Sequence, residues 1–333
     1  MARSLPGKAA LATVGFCVIA FGILAADPSH AAEKWRHGIV QAKGDSAFLF
    51  MAAKGGFAAK HGLDLDMVQF KGGTTPLKAL IAGELDSFEA SPVVAFPAML
   101  RGADVKFIGC DWPGMTYTLF ANKKIKTPAD LKGATIGVSA PGSLPDLFTR
   151  EALARAGVPE NTLKFANAGG SADRIKAIIA GVVAAAASSS EFEVDADRLG
   201  YKALLRGDST PQFVKVCMMT TSKTIATKRK ALEAFLAASM DGLTFATKHR
   251  DAAIKLAKEV AHLKPNDRTA EFVYDEAIKY KAIHTDLAIP RANLQRTADM
   301  MLRHHALAKK LDVSKFIDDS ARKAALKQVT LKK

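Results

Sequence analysis

The sequence predicts an α/β protein of two lobes facing one another across a central cleft, with a largely helical C-terminal region. Three observations predict it. A strand–helix alternation runs from Trp35 to Gly109 and begins again at Thr135. A segment of the first series is echoed at the matching place of the second, and from about Ala231 onward the apolar spacing is that of helices. At 333 residues, 49% hydrophobic and 24% charged, the chain can bury two cores and is composed like an ordinary globular protein.

In order, Trp35 to Gln41 is a short apolar strand, and Ala47 to His61 is an apolar-faced helix stopped by Gly62. Leu63 to Phe70 alternates apolar and polar residues as a strand does. A helix over Thr74 to Ala82, a strand over Ser87 to Ala90, a helix over Pro92 to Arg101 and a strand over Val105 to Gly109 complete the first series. The second series has strands at Thr135 to Val138, Leu163 to Ala166 and Val182 to Ala187. Its helices are Leu144 to Ala156, ended by Gly157, and Ala172 to Ala180. Helices then follow over Ala231–His249, Asp251–Ala261, Asp267–Tyr280 and Ala292–Lys309. The echo pairs Gly72-Gly73-Thr74 and Leu77-Lys78-Ala79-Leu80-Ile81-Ala82-Gly83 with Gly169-Gly170-Ser171 and Ile175-Lys176-Ala177-Ile178-Ile179-Ala180-Gly181.

The first segment bears on compartment. Arg3 and Lys8 precede an apolar run from Ala9 to Ala26, and the small residues Ser29, Ala31 and Ala32 follow. Basic head, apolar middle and small-residue exit are the pattern of a secretory signal peptide over residues 1–31, cleaved after Ala31 or Ala32. An uncleaved anchor is the other reading, since the run is nearly long enough to span a bilayer. Removing residues 1–31 takes away Arg3, Lys8 and Asp27, one net positive charge, so the formal +14 becomes +13. The lysines are scattered, and the densest region, from Lys309 to Lys327, is interleaved with Asp312, Asp318 and Asp319. This is a solvated face rather than a nucleic-acid footprint. Cys110 and Cys217 remain after processing; an oxidising compartment permits a disulfide, and their spacing leaves open whether they meet. No metal-ligand spacing is present: His304 and His305 are neighbours, and neighbours on a helix do not share a face.

In open α/β sheets, ligands lie beyond the carboxyl ends of the strands, where helix-start N–H groups and the helix dipole favour anions. Five turns here have a small residue for close backbone approach and a hydroxyl at or beside the N-cap. They are Gly44-Asp45-Ser46, Gly72-Gly73-Thr74 (with Thr75 following), Ala90-Ser91-Pro92, Pro141-Gly142-Ser143 and Gly169-Gly170-Ser171. Any one could simply cap a helix; five in corresponding places point to a shared site.

Several stretches, taken in order, resemble one family. They are Val40-Gln41-Ala42-Lys43-Gly44, Lys54-Gly55-Gly56-Phe57, His61-Gly62-Leu63-Asp64-Leu65, Ala82-Gly83-Glu84-Leu85-Asp86, Glu89-Ala90-Ser91-Pro92 and Arg101-Gly102-Ala103. Ile125-Lys126-Thr127-Pro128-Ala129-Asp130-Leu131-Lys132-Gly133 and Ile136-Gly137-Val138 continue the series. The chain resembles the periplasmic substrate-binding proteins of nitrate, aliphatic-sulfonate and taurine ABC importers, a family that also includes thiamine-precursor binders. The resemblance implies a type II periplasmic-binding-protein-like fold with two hinge crossovers, near Asp111–Leu119 and Val214–Thr221. Lobe 1 would be residues 32–115 plus 220–333, and lobe 2 residues 116–219. It implies ligand positions at Ser46, Thr74, Ser91, Ser143 and Ser171, the same ones that helix-start physics selects.

The chain departs from the family in its second half. Ala184 stands where Asp is usual, and the next strand ends in Ser188-Ser189-Ser190-Glu191. Ser189 and Glu191 therefore join the expected site, and Glu191 would repel a pure anion unless it points away or meets an amino group. Trp112, beside the first crossover, either stacks on a ligand or packs the hinge, and Tyr117 poses the same choice. The expectation is a monomeric, non-catalytic periplasmic receptor without cofactor or metal, delivering a sulfonate, nitrate or related small polar ligand to an inner-membrane ABC permease. The alternatives are an enzyme on the same scaffold, of pyrimidine-synthase or desulfinase type, and a ligand sensor for a membrane signalling protein.

Overall fold

The structure, a computed structural model, describes residues 32–40, 42–70, 73–207 and 214–330. The export-signal reading of residues 1–31, and Gln41 and Gly72 of the quoted motifs, lie outside them.

The first series forms strands β1 (Glu33–Val40), β2 (Leu63–Phe70), β3 (Ser87–Ala90) and β4 (Lys106–Trp112), with helices α1 (Ser46–Lys54), α2 (Phe57–Lys60), α3 (Thr74–Ile81) and α4 (Phe96–Leu100) between them. One expected helix over Ala47 to His61 is thus two. Gly56 sits at φ 78°, a left-handed conformation that costs glycine little and interrupts the helical path. The second series comprises β5 (Tyr117–Asn122), β6 (Thr135–Val138), α5 (Leu144–Arg155), β7 (Lys164–Asn167), α6 (Ser171–Ile179), β8 (Ala185–Ser189), α7 (Ala196–Leu199) and β9 (Tyr201–Arg206). The chain then adds β10 (Val216–Thr220) and helices α8 (Ser222–Thr227), α9 (Arg229–Lys248), α10 (Arg250–Val260), α11 (Thr269–Lys279), α12 (Arg291–Arg303) and α13 (Ser320–Thr330).

Two five-stranded sheets result, in the orders β2-β1-β3-β10-β4 and β7-β6-β8-β5-β9. Their construction matches. In each, the first three positions are parallel, as βα crossovers demand, and the fourth is an antiparallel strand next to a crossing between the sheets. β10 enters the first sheet between β3 and β4 after the chain returns from the second; β5 enters the second between β8 and β9 as the chain first arrives. Cys110 on β4 and Cys217 on β10 form a disulfide, so the two strands that adjoin the crossings are tied together.

Each sheet is covered on both faces. Trp35, Phe48, Ile108 and Trp112 pack against Leu232, Phe235, Leu236 and Leu243 of α9, which brings the C-terminal helices back onto the first sheet. The other face joins Phe88, Phe96 and Phe107 to Leu294 and Met301 of α12, and this cluster also takes in Leu144 and Leu147 of α5 from the second lobe. Beside it Glu151 of α5 meets Arg303 and His304, at 2.6 and 3.1 Å, and His304 also meets Glu160 at 2.8 Å. No helix among the described residues is long and apolar enough to cross a membrane.

Candidate functional site

A cavity of about 430 Å³ lies where the carboxyl ends of the parallel strands and the first turns of the following helices meet from both lobes. All five turns contribute: Asp45 from the first, Gly73 and Thr74 from the second, Ala90 and Ser91 from the third, Ser143 from the fourth, Gly170 and Ser171 from the fifth. Ser189, at the end of β8, joins them. The N-cap side chains Asp45 of α1 and Ser143 of α5 make no capping hydrogen bond, and the N-cap of α3 is Gly73, so none of these three helix starts is capped by its N-cap side chain. Ser91 Oγ is enclosed and has no hydrogen-bond partner among the described residues. Much of the wall is apolar, from Ile39, Leu49, Val93, Leu144 and Pro145 among others.

Other expected residues stand off the wall, each with an evident occupation. Ser46 Oγ accepts from the Lys43 amide at 2.7 Å and so shapes the turn. Gly44 lets the chain pass the Thr269 carbonyl: a Cβ there would lie 3.1 Å from that oxygen. Gly142 has φ 72°, its amide donates to Asp146 at 2.7 Å, and a Cβ would meet Ala306 at 2.8 Å, so this turn touches the first lobe. Thr75 is exposed. Trp112 is buried beside the Phe48 ring, with centroids 5.5 Å apart, and lies beneath the Lys215 ammonium rather than on the wall. Tyr117 does line the cavity.

Besides the expected Asp45 and Glu191, four charged residues absent from the sequence expectation belong to the site, and all four line the cavity: Lys43, Arg174, Lys215 and Glu89. Arg174, only 2% exposed, donates through Nε to the Ala187 carbonyl (2.7 Å), and through its terminal nitrogens to the Gly169 carbonyl (2.7 Å) and Ser171 Oγ (3.2 Å). It thereby fixes the fifth turn while placing a permanent cation at the wall. Lys215 Nζ donates to Thr116 Oγ1 at 2.7 Å, stands 3.5 Å from Asp45 Oδ2 and lies 3.8 Å over the Trp112 ring. Burial pulls its pKa down to about 8 against the attraction of Asp45. Lys43 pairs with Asp45 and lies 3.9 Å from Glu191 Oε2. Burial penalises its ammonium, yet the two carboxylates outweigh that and hold its pKa above the usual lysine value. Asp45 is likewise penalised by burial, and the two ammonium groups more than reverse it. Glu191, whose orientation was the open question, is buried behind Lys43 and meets its amino group. Burial still raises its pKa, with Lys43 opposing.

Their positions in the sequence offered a weak signal: Lys43 lies in the first quoted motif, Lys215 inside the expected second crossover, and Arg174 immediately precedes Ile175 of the echo, where the first copy has Pro76 before Leu77. Their residue type carried none, and only the structure shows that Arg174 and Pro76 are both buried.

A family model described as NMT1/THI5 like matches residues 43–253, well over half the chain. Over 109 residues the sequence is 35% identical to binding proteins of Brucella abortus (strain 2308) and Brucella suis biovar 1 (strain 1330). The match covers 32% of this chain and 33% of theirs, so the chain spans about a third of the length of the curated relatives it matches. Among solved structures, the periplasmic aliphatic sulphonate binding protein SsuA of Escherichia coli superposes with a TM-score of 0.70 at 21% identity, over 86% of this chain and 92% of that one. The alkanesulfonate-binding protein SsuA of Xanthomonas axonopodis pv. citri, bound to MOPS, gives 0.72 at 19% identity, over 87% and 100%. A desulfurization enzyme, DszB, gives 0.64 at 14% identity, over 89% and 99%. At these identities the likeness is one of fold.

Proposed function

The chain belongs to the NMT1/THI5-like family, and from that premise we propose that it is an exported, periplasmic receptor that captures a small organic anion and delivers it to an ABC import permease. The observation that carries this reading is the convergence, from two lobes, of five helix-start turns and three cationic side chains on one apolar-walled cavity. Lys43, Lys215 and Arg174 stand against the carboxylates of Asp45 and Glu191, which leaves a positive surplus for one anion. Ligand positions at Asp45, Thr74, Ser91, Ser143, Ser171 and Ser189 follow from the same wall. About 430 Å³ holds roughly fourteen water volumes, far more than a four-atom anion such as nitrate fills, so a sulfonate or carboxylate with an organic body suits it better. The chain acts as a monomer, with lobe 1 formed by residues 32–115 and 220–333 and lobe 2 by residues 116–219.

An enzyme on this scaffold is the second reading, kept because one structural relative is an enzyme. It lacks a free thiol among the described residues, since Cys110 and Cys217 are joined. A thermal-shift screen of the mature protein against sulfonates, nitrate, carboxylates and pyrimidines separates the two. At a hundredfold excess over its dissociation constant, a ligand that binds only the folded state adds about 2.7 kcal/mol of stability. The expected result is a clear shift with an organic anion and no turnover. Ser143→Trp, which puts an indole into the cavity, should abolish the shift while leaving the unliganded melting temperature within a few degrees. A flat response together with turnover of any compound would favour the enzyme.

A further inference from the structure

Behind the cavity floor lies a row of buried polar side chains that the anion reading does not use: His37 on β1, Ser87 and Glu89 on β3, and Asp111 on β4. Glu89 alone among them reaches the cavity. Ser87 Oγ accepts from Trp35 Nε1 at 2.9 Å and keeps its own proton and a second lone pair for His37 Nδ1 at 2.8 Å, so either group can donate in that bond. With the serine as donor, His37 Nε2 carries the imidazole hydrogen. That Nε2–H has no full hydrogen bond, and its nearest carboxyl partner is Glu89 Oε2 at 3.5 Å. One oxygen of Glu89 thus stands beside the imidazole, and the residue also lines the cavity.

We propose that Glu89 faces the cleft as an uncharged carboxylic acid and donates a hydrogen bond to an oxygen of the bound anion, so that the receptor selects fully ionised oxyanions and releases them as this proton is lost.

Most of the surroundings favour the acid form. Asp45, in the turn before α1, disfavours an ionised Glu89, and Glu89 in turn disfavours an ionised Asp111 on β4. His37 gives no compensating charge: burial lowers its pKa to about 4 and keeps it neutral. Lys215, before β10, is the nearby cation, and it is shared with Asp45. Burial is the largest effect on Glu89 and, with Asp45, raises its pKa to about 8 in spite of Lys215. The same burial raises the pKa of Asp111, and neither of its carboxyl oxygens has a side-chain hydrogen-bond partner among the described residues. An ionised Glu89 would also cancel the positive surplus on the wall. A protonated one preserves that surplus and adds a donor, which a pocket for a fully charged oxyanion needs.

This role rests on the anion-receptor reading, and the test separates the two. The mature protein, labelled with carbon-13 at glutamate carboxyls, is titrated without ligand, Glu89 being assigned by its loss in Glu89→Gln. Its signal should stay in the acid position at pH 7; an ionised signal there overturns the proposal. Binding of 1-butanesulfonate and benzoate is then measured by calorimetry from pH 6 to 9.5. Glu89→Leu should weaken binding roughly tenfold or more at pH 6.5, the worth of a charge-assisted hydrogen bond, and Glu89→Gln should recover most of that loss through its amide N–H. Above pH 8 the native protein loses affinity both as Glu89 ionises and as Lys215 is discharged, so its slope should be clearly steeper than that of Glu89→Gln. Equal slopes, or Gln binding no better than Leu, would overturn the donor role alone. Failure of both anions to bind at any pH would overturn the receptor reading and this role with it.

Discussion

Lys215→Met is expected to weaken binding of a small organic anion by roughly 30-fold or more at pH 7, a loss of about 2 kcal/mol, because it removes a desolvated charge from the cavity wall. The same substitution should leave the unliganded protein about as stable as before. Asp45 keeps Lys43 as its partner, so no buried carboxylate is left uncompensated, and a methionine side chain can occupy the place over the Trp112 ring. Calorimetry and thermal melts on one preparation check both halves. A variant that melts early and binds normally would mean that Lys215 serves the fold and not the site. The pH dependence has a definite sign. The pKa of Lys215 is depressed to about 8, so its attraction for an anion is complete well below that pH and is lost as pH rises through it.

Replacing both Cys110 and Cys217 by alanine is expected to cost about 4 kcal/mol of stability and to lower the melting temperature by roughly 8 °C or more. The magnitude comes from the length of chain closed: the cysteines are 107 residues apart, and the loop between them contains the second sheet. Without the bond the unfolded chain regains that freedom. Differential scanning calorimetry of the double variant against the native protein measures it. A change below about 2 °C would show that the oxidised chain gains little from closing this loop. The joined strands β4 and β10 also lie next to the two crossings, so the variant should show faster amide exchange along β10.

The sequence displayed its architecture wherever a strand is followed by a helix, because that connection imposes a readable rhythm. β5, β9 and β10 were harder. Tyr117 to Asn122 and Val216 to Thr220 overlap the stretches read as crossovers, and an antiparallel strand joined by no helix carries no such rhythm. The break at Gly55-Gly56 was legible in principle; the apolar face on either side concealed it. For the site, small residues and hydroxyls marked the five turns because those types are required wherever backbone closely approaches a guest. The cations were not legible in this way. Lys215 and Arg174 differ from the many solvated lysines and arginines only in what surrounds them, and burial at a lobe junction is set by residues far away in the chain. The pairing of Glu191 with Lys43 is of the same kind, joining residues from different lobes. Likewise the cysteines were visible as candidates, and only the insertion of β10 beside β4 brings them together.

Leu144 and Leu147 of α5 sit in the first lobe's apolar cluster, with Glu151 meeting Arg303 and His304 alongside. Parting the lobes would wet both leucines, at a cost of about 3–6 kcal/mol. For the receptor proposed above, a guest would then stay enclosed for reasons that owe little to its own contacts, and handing it over would call for outside work to part the lobes.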